Sequence, residues 1–205
     1  MVSDERKAAL ILGGVVLSEG TWLAANLYFA TPAFFLGYCG FHTSAGFRAW
    51  AMALIVAYIF IAYASRFPSV RTNLVRFGGL KLLALSVAIA AGFCEEVIFR
   101  KLLMDFCDYL EWPQVSQVLV SALAYGAVHA MWGLLRRNIA VAWGAMAATG
   151  SLGFLLALVY LLGGRTLAPC IVSHMLINVF TEPGLVLAAV RGEMGQPPDT
   201  ARSPR

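Results

Sequence analysis

The chain has 205 residues, of which 60% are hydrophobic and 13% charged, and its mean hydropathy is +0.76. A water-soluble domain of this size could not bury so much apolar side chain, so the composition excludes a soluble globule and predicts a polytopic membrane protein. The net charge of +4 is carried by short basic connections rather than by one basic face, which leaves no electrostatic footprint for a nucleic acid.

Six apolar runs are predicted to span, at about 8–30, 46–65, 80–104, 114–134, 139–162 and 167–190, each near the ~20 residues that cross the hydrocarbon. The fold class is therefore all-α, a membrane helical bundle. Arg6 and Lys7 before an apolar stretch resemble a signal peptide. Apolar character resumes after Ser18-Glu19-Gly20, however, so an uncleaved first span is expected. Glu19 and Asn26 inside that span read as polar contacts to another helix. Thr31-Pro32 is expected to kink or end the span, with His42 in the loop that follows. Gly144, Gly150 and Gly153 in the fifth run predict close helix packing. Cys39, Cys94, Cys107 and Cys170 form no C-x-x-C pair; three of them lie in or beside apolar runs and read as small buried hydrophobes. Residues 191–205, rich in Gly, Pro and polar side chains, read as a disordered tail.

With the N-terminus inside, the cytoplasmic segments hold Arg6, Lys7, Arg66, Arg71, Arg76, Lys81, Arg136, Arg137, Arg191, Arg202 and Arg205, eleven of the fifteen basic residues. This asymmetry predicts both termini in the cytoplasm of a cell whose plasma (inner) membrane the chain spans. The expected organisation is two N-terminal spans and a basic loop (1–79), a four-helix core (80–190) and the tail (191–205).

The third run carries Glu95, Glu96 and Arg100 within apolar sequence, where a charge survives only if it is paired or functional. Glu96 and Arg100 are four apart on one helical face, with the acid N-terminal as an ion pair prefers. Glu95 points about 100° away around the axis and gains no such partner. One carboxylate is thus structural and the other free to react. Ala88, Ala91 and Gly92 beside Glu95 are small enough for another backbone, or a substrate, to approach.

Two more polar pairs interrupt the later runs: Tyr125 with His129, and His174 with Asn178, each at i, i+4 on one face. Glu96 lies sixteen residues before Trp112 and His129 sixteen after Pro113, so in unbroken helices both stand ~24 Å from that turn and are level. His129 is also seven residues, ~11 Å, before Arg136 on the inner side. His174 follows the Gly163-Gly164-Arg165 turn by nine residues, ~14 Å from the outer side, so in a ~30 Å core the two lie at similar depth near the midplane. Three helices each bring a polar group to one level. A buried network that only glues helices together is the competing reading.

The ordered patterns E-E-x-x-x-R, aromatic-x-x-x-H and H-x-x-x-N, with Thr166-Leu167-Ala168-Pro169 leading into the last, resemble the CPBP family of type II CAAX prenyl endopeptidases and bacteriocin-processing or immunity-related membrane proteins. The likeness covers about residues 80–185; Tyr125 stands where phenylalanine is usual. The resemblance implies a glutamate-dependent intramembrane endopeptidase acting on a membrane-anchored or prenylated-type, leader or sorting-tail peptide. It further implies that Glu95 and His129 activate water, that His174 and Asn178 stabilise the oxyanion, and that Glu96 with Arg100 holds the helix geometry. Such roles suit peptide hydrolysis, which needs a base and donors aimed at the developing oxyanion.

No cofactor is expected. Zinc held by Glu95, His129 and His174 is the alternative, weighed against the absence of an H-E-x-x-H helix. Serine catalysis through Ser121 or Ser173 lacks a G-x-S-x-G context. A non-catalytic immunity or scaffold protein of the same fold, and more distantly a proton-relay transporter, are the non-peptidase readings.

Overall fold

The computed structural model describes residues 3–29 and 45–194, apart from the side chains of residues 29 and 134–136. The predicted kink at Thr31-Pro32, Cys39, His42 and the tail beyond residue 194 lie outside the described residues. Among those described, the elements are helices with no strand: α1 (Asp4–Phe29), α2 (Gly46–Ala64), α3 (Pro68–Asn73), α4 (Gly79–Glu96), a π-helical turn (Val97–Leu102), α5 (Leu103–Tyr109), α6 (Gln114–His129), α7 (Met131–Arg136), α8 (Ile139–Leu162) and α9 (Ala168–Arg191). Six stretches are long and apolar enough to cross a membrane, and they match the six predicted spans. Large apolar side chains such as Leu17, Ile55, Tyr58 and Leu123 point outward, the arrangement expected where lipid is the solvent.

The last helix is the hub. α9 packs against α4, α2, α3 and α1, while α6 and α8 form a tightly apposed pair. The central core joins Val97 and Phe99 of the π-turn to Tyr125, Leu156, Tyr160, Cys170 and Ile171, and a smaller cluster seats Ala8 and Leu12 of α1 on Val87, Ala91, Val186 and Leu187. The small residues near Glu95 serve this packing. A Cβ added at Gly92 would meet Met175 Cγ at 2.7 Å, so α9 occupies the room they leave. Gly126 and Gly150 let α6 and α8 touch: a Cβ on Gly126 would stand 2.6 Å from Met146 O and 3.1 Å from Gly150 Cα. Gly144 departs from expectation, since nothing lies within 4 Å of the place its Cβ would take.

Asn26 also departs from expectation. Its amide donates back to Trp22 O in its own helix at 2.8 Å and does not bridge to another among the described residues, because the carbonyl one turn behind is always within reach. The fourth span is not one helix: α6 ends at His129 and the chain restarts as α7. There the His129 ring joins the carbonyls of the final turn, and Ala130 N closes a tighter bond onto Ala127 O at 3.2 Å.

Polar clamps at the two ends set the helices in register. At one end Arg165, in the turn between α8 and α9, donates to Asp105 (2.7 Å), Asp108 (2.6 Å) and Gln117 (2.7 Å). Tyr160 adds a bond to Asp105 at 3.0 Å. At the other end the buried Lys81 ammonium donates to Leu74 O (2.8 Å) and Val179 O (2.9 Å), and the Glu193 carboxylate accepts from the Ser69 hydroxyl and amide.

Candidate active site

The site forms where α4 passes into the π-turn. Leu103 N bonds Ile98 O, five residues back, where an α-helix would have bonded Phe99 O. That leaves Phe99 O without its helical donor, and the Ser121 hydroxyl of α6 supplies one at 3.0 Å. The extra residue in the turn was invisible in an apolar run that reads as continuous helix. The predicted Glu96–Arg100 pair is nonetheless present: Arg100 Nε stands 3.0 Å from Glu96 Oε2, both side chains wholly buried. Arg100 also reaches Gly153 O at 3.4 Å and lies 4.7 Å from the centre of the Tyr125 ring, so a charge with no access to water is enclosed by a carboxylate, a carbonyl and a π face.

Glu96 does more than the spacing indicated. Its second oxygen, Oε1, is 2.8 Å from His174 Nδ1. A carboxylate at this distance holds a proton on Nδ1 and turns the opposite nitrogen, Nε2, toward the site. His129 is oriented by other means to the same end. Its Nδ1 is 2.9 Å from Tyr125 O, a carbonyl that can only accept, so Nδ1 carries a proton and Nε2 is the nitrogen left to face the site. Both Nε2 atoms then face one oxygen, standing 3.8 Å from Glu95 Oε2.

Exposure separates the carboxylates. The Glu95 and His129 side chains keep 18% and 20% of their surface, against 0% for Glu96 and 3% for His174. Glu95 Oε2 itself has no hydrogen-bond partner among the described residues. Tyr125 completes the floor of the site, its hydroxyl 3.4 Å from His174 Nε2 and facing Glu95.

Glu95, Glu96, Arg100, Tyr125, His129 and His174 are thus brought together. Asn178, one turn beyond His174 on α9, is half-buried and has no hydrogen-bond partner among the described residues. Ser121 and Ser173 are spent on backbone carbonyls, Ser173 on Ala53 O at 2.8 Å, which leaves neither hydroxyl to a histidine. Two carboxylates join the electrostatic surroundings of Glu95: Glu19 of α1, whose Oε2 is buried with no hydrogen-bond partner among the described residues and whose backbone carbonyl accepts from Cys94 Sγ at 3.3 Å, and Glu182 of α9. Glu182 was missed although its spacing carries the signal, four residues after Asn178 and eight after His174 on one face. As zinc ligands Glu95, His129 and His174 supply suitable atom types. No three such side chains among the described residues are, however, arranged to hold a metal ion.

Ionisable groups from three of the spans of this helical membrane protein converge on the half-buried Glu95 carboxylate, the mark of a functional site within the bilayer. The family described as type II CAAX prenyl endopeptidase, Rce1-like, matches residues 77–180, just over half of the chain, and the chain belongs to it. Its fold is that of a CAAX-type intramembrane protease. No individual curated protein and no solved structure matches the chain.

Proposed function

We propose that the protein is a glutamate-dependent endopeptidase that hydrolyses a peptide bond near the membrane surface in a membrane-anchored or prenylated substrate. The observation that carries this reading is the convergence of two imidazole Nε2 atoms on the partly exposed Glu95 carboxylate, each 3.8 Å from Oε2. At that separation acid and imidazole make no direct hydrogen bond, which leaves Glu95 Oε2 and the Nε2 atoms to be bridged by a water seated beside them. Glu95 takes the proton of the attacking water while the His129 lone pair holds and orients that water. The His174 Nε2–H, on an imidazolium paired with Glu96, and the Asn178 amide receive the oxyanion. Glu96 is set against both Arg100 and His174, the pairing under which ionisable groups survive inside a bilayer. The proton taken by Glu95 then goes to the leaving amine as the C–N bond breaks.

The mechanism needs no metal, and both termini lie in the cytoplasm by the basic-residue asymmetry. The test is cleavage of an internally quenched farnesylated peptide by the purified protein in detergent. Wild type cleaves, and continues to do so after exhaustive dialysis against a strong chelator. Glu95→Gln inserts and folds but does not cleave. Equal rates for Glu95→Gln and wild type sink the glutamate mechanism, and loss on chelation with rescue by zinc alone transfers the chemistry to a metal.

A further inference from the structure

We propose that Tyr125 is a further catalytic residue of this chain, its phenol donating a hydrogen bond to the scissile carbonyl oxygen as that oxygen becomes an oxyanion; this rests on the peptidase reading above. Phenylalanine is usual at this position in the family the chain resembles, and it would fill the same volume. The ring needs no hydroxyl to hold its place. It meets Phe99 edge-on at 5.2 Å between centres, lies 4.6 Å from the His129 ring and 4.7 Å from the Arg100 guanidinium, and presses its Cβ and Cδ1 against Gly153. With the residue only 1% exposed, the hydroxyl is a polar group carried into the core, which costs stability unless it is bonded or used.

The partners of the hydroxyl are His174 Nε2, at 3.4 Å farther than the ~2.8 Å of a committed hydroxyl hydrogen bond, and the Glu95 carboxylate. The groups facing it are Glu95, Glu96 and Arg100 from α4 and the π-turn, His129 from its own helix and His174 from α9. Of these, Glu95 and His174 are the base and the oxyanion donor of the proposed reaction. The phenol therefore stands beside both groups of the proposed reaction, and a carbonyl attacked by water on Glu95 would take over the phenol's hydrogen bond, which Glu95 accepts at rest. A donor fixed before the reaction and bonded to the oxyanion only in the transition state lowers the barrier without tightening substrate binding. The phenol keeps its proton throughout. The water oxygen bonds to the carbonyl carbon, the water proton goes to Glu95 and then to the departing nitrogen, and the C–N bond breaks.

The experiment compares wild type, Tyr125→Phe, Glu95→Gln and forms carrying fluorinated tyrosines at position 125, using the quenched farnesylated peptide and thermal denaturation in detergent. Tyr125→Phe is expected to lose roughly 10²-fold in kcat, as removal of one oxyanion donor does, with KM within about twofold. Its melting temperature should be unchanged or higher. The fluorotyrosines should change kcat in order of phenol acidity, a trend that a packing role cannot produce. Wild-type kcat in Tyr125→Phe, alongside an inactive Glu95→Gln, overturns the assignment and leaves the peptidase reading standing. A fall in kcat that tracks lost stability, with no trend across the fluorotyrosines, also overturns it. Undiminished cleavage by Glu95→Gln removes the glutamate mechanism on which the assignment rests.

Discussion

Glu96 and Glu95 are chain neighbours with opposite fates, decided by which side of the helix each faces. Glu96 is gripped by Arg100 at 3.0 Å and His174 at 2.8 Å with no exposed surface, whereas Glu95 keeps 18% of its side chain open and one oxygen without a hydrogen bond among the described residues. Substitution should therefore have different signatures at the two positions. Glu96→Gln leaves Arg100 as an uncompensated buried charge, a loss of about 3–5 kcal/mol when one partner of a buried pair is removed, and it also frees the His174 ring to turn. It should lower both the denaturation midpoint in detergent and the cleavage rate. Glu95→Gln should lower only the rate. If the midpoint of Glu96→Gln equals that of wild type, the buried pair contributes no stability and Glu96 serves His174 alone.

At the scale of elements, the contact between α6 and α8 holds Tyr125 and His129 at the right depth, and it rests on glycines. A methyl group on Gly126 would be driven into the Met146 carbonyl and the Gly150 backbone, which cannot rotate away as a side chain could. Gly126→Ala is expected to destabilise by about 1–3 kcal/mol, the usual cost of overpacking. Gly144 on the same α8 faces open space, so Gly144→Ala should be neutral or gain up to about 1 kcal/mol from helix propensity. Thermal denaturation of the two variants side by side checks the pair, and equal midpoints contradict the packing argument. The π-turn acts at the same scale, since the carbonyl it strands on Phe99 is taken by Ser121 and ties α6 to the segment that carries Arg100.

For the whole molecule the outstanding question is which side of the membrane reaches Glu95. Beyond the end of α6 an open cavity of about 270 Å³ is lined by Ala130, Gly133, Arg137, Asn138, Ile139 and Ala142, next along the chain from the His129 imidazole. Eleven of the fifteen basic residues fall on this side when the N-terminus is cytoplasmic. Single cysteines at Ala130 and Arg137, in a background without Cys39, Cys94, Cys107 and Cys170, should react with an impermeant thiol reagent from the cytoplasmic face of oriented vesicles. A bound peptide inhibitor should protect Ala130→Cys. Gly133 is unsuitable, because a side chain there would collide with Ala142. Labelling from the opposite face alone would invert the topology.

The amino-acid sequence by itself determined the membrane class, the six spans and the Glu96–Arg100 pair. These follow from hydropathy and from i, i+4 spacing, which are local properties of a chain that must satisfy its backbone within each helix once in lipid. The convergence of Glu95, His129 and His174 was legible only as a match of depths, because counting residues from a turn gives height along the bundle but no direction around it. Direction was decided by tertiary packing. The π-turn, the break after His129, the bond from Glu96 to His174 and the approach of Glu19 and Glu182 toward Glu95 all depend on how neighbouring helices are rotated. That rotation is set by contacts such as Gly92 on Met175 and Gly126 on Gly150, between residues far apart in the chain, which no pattern within one helix encodes.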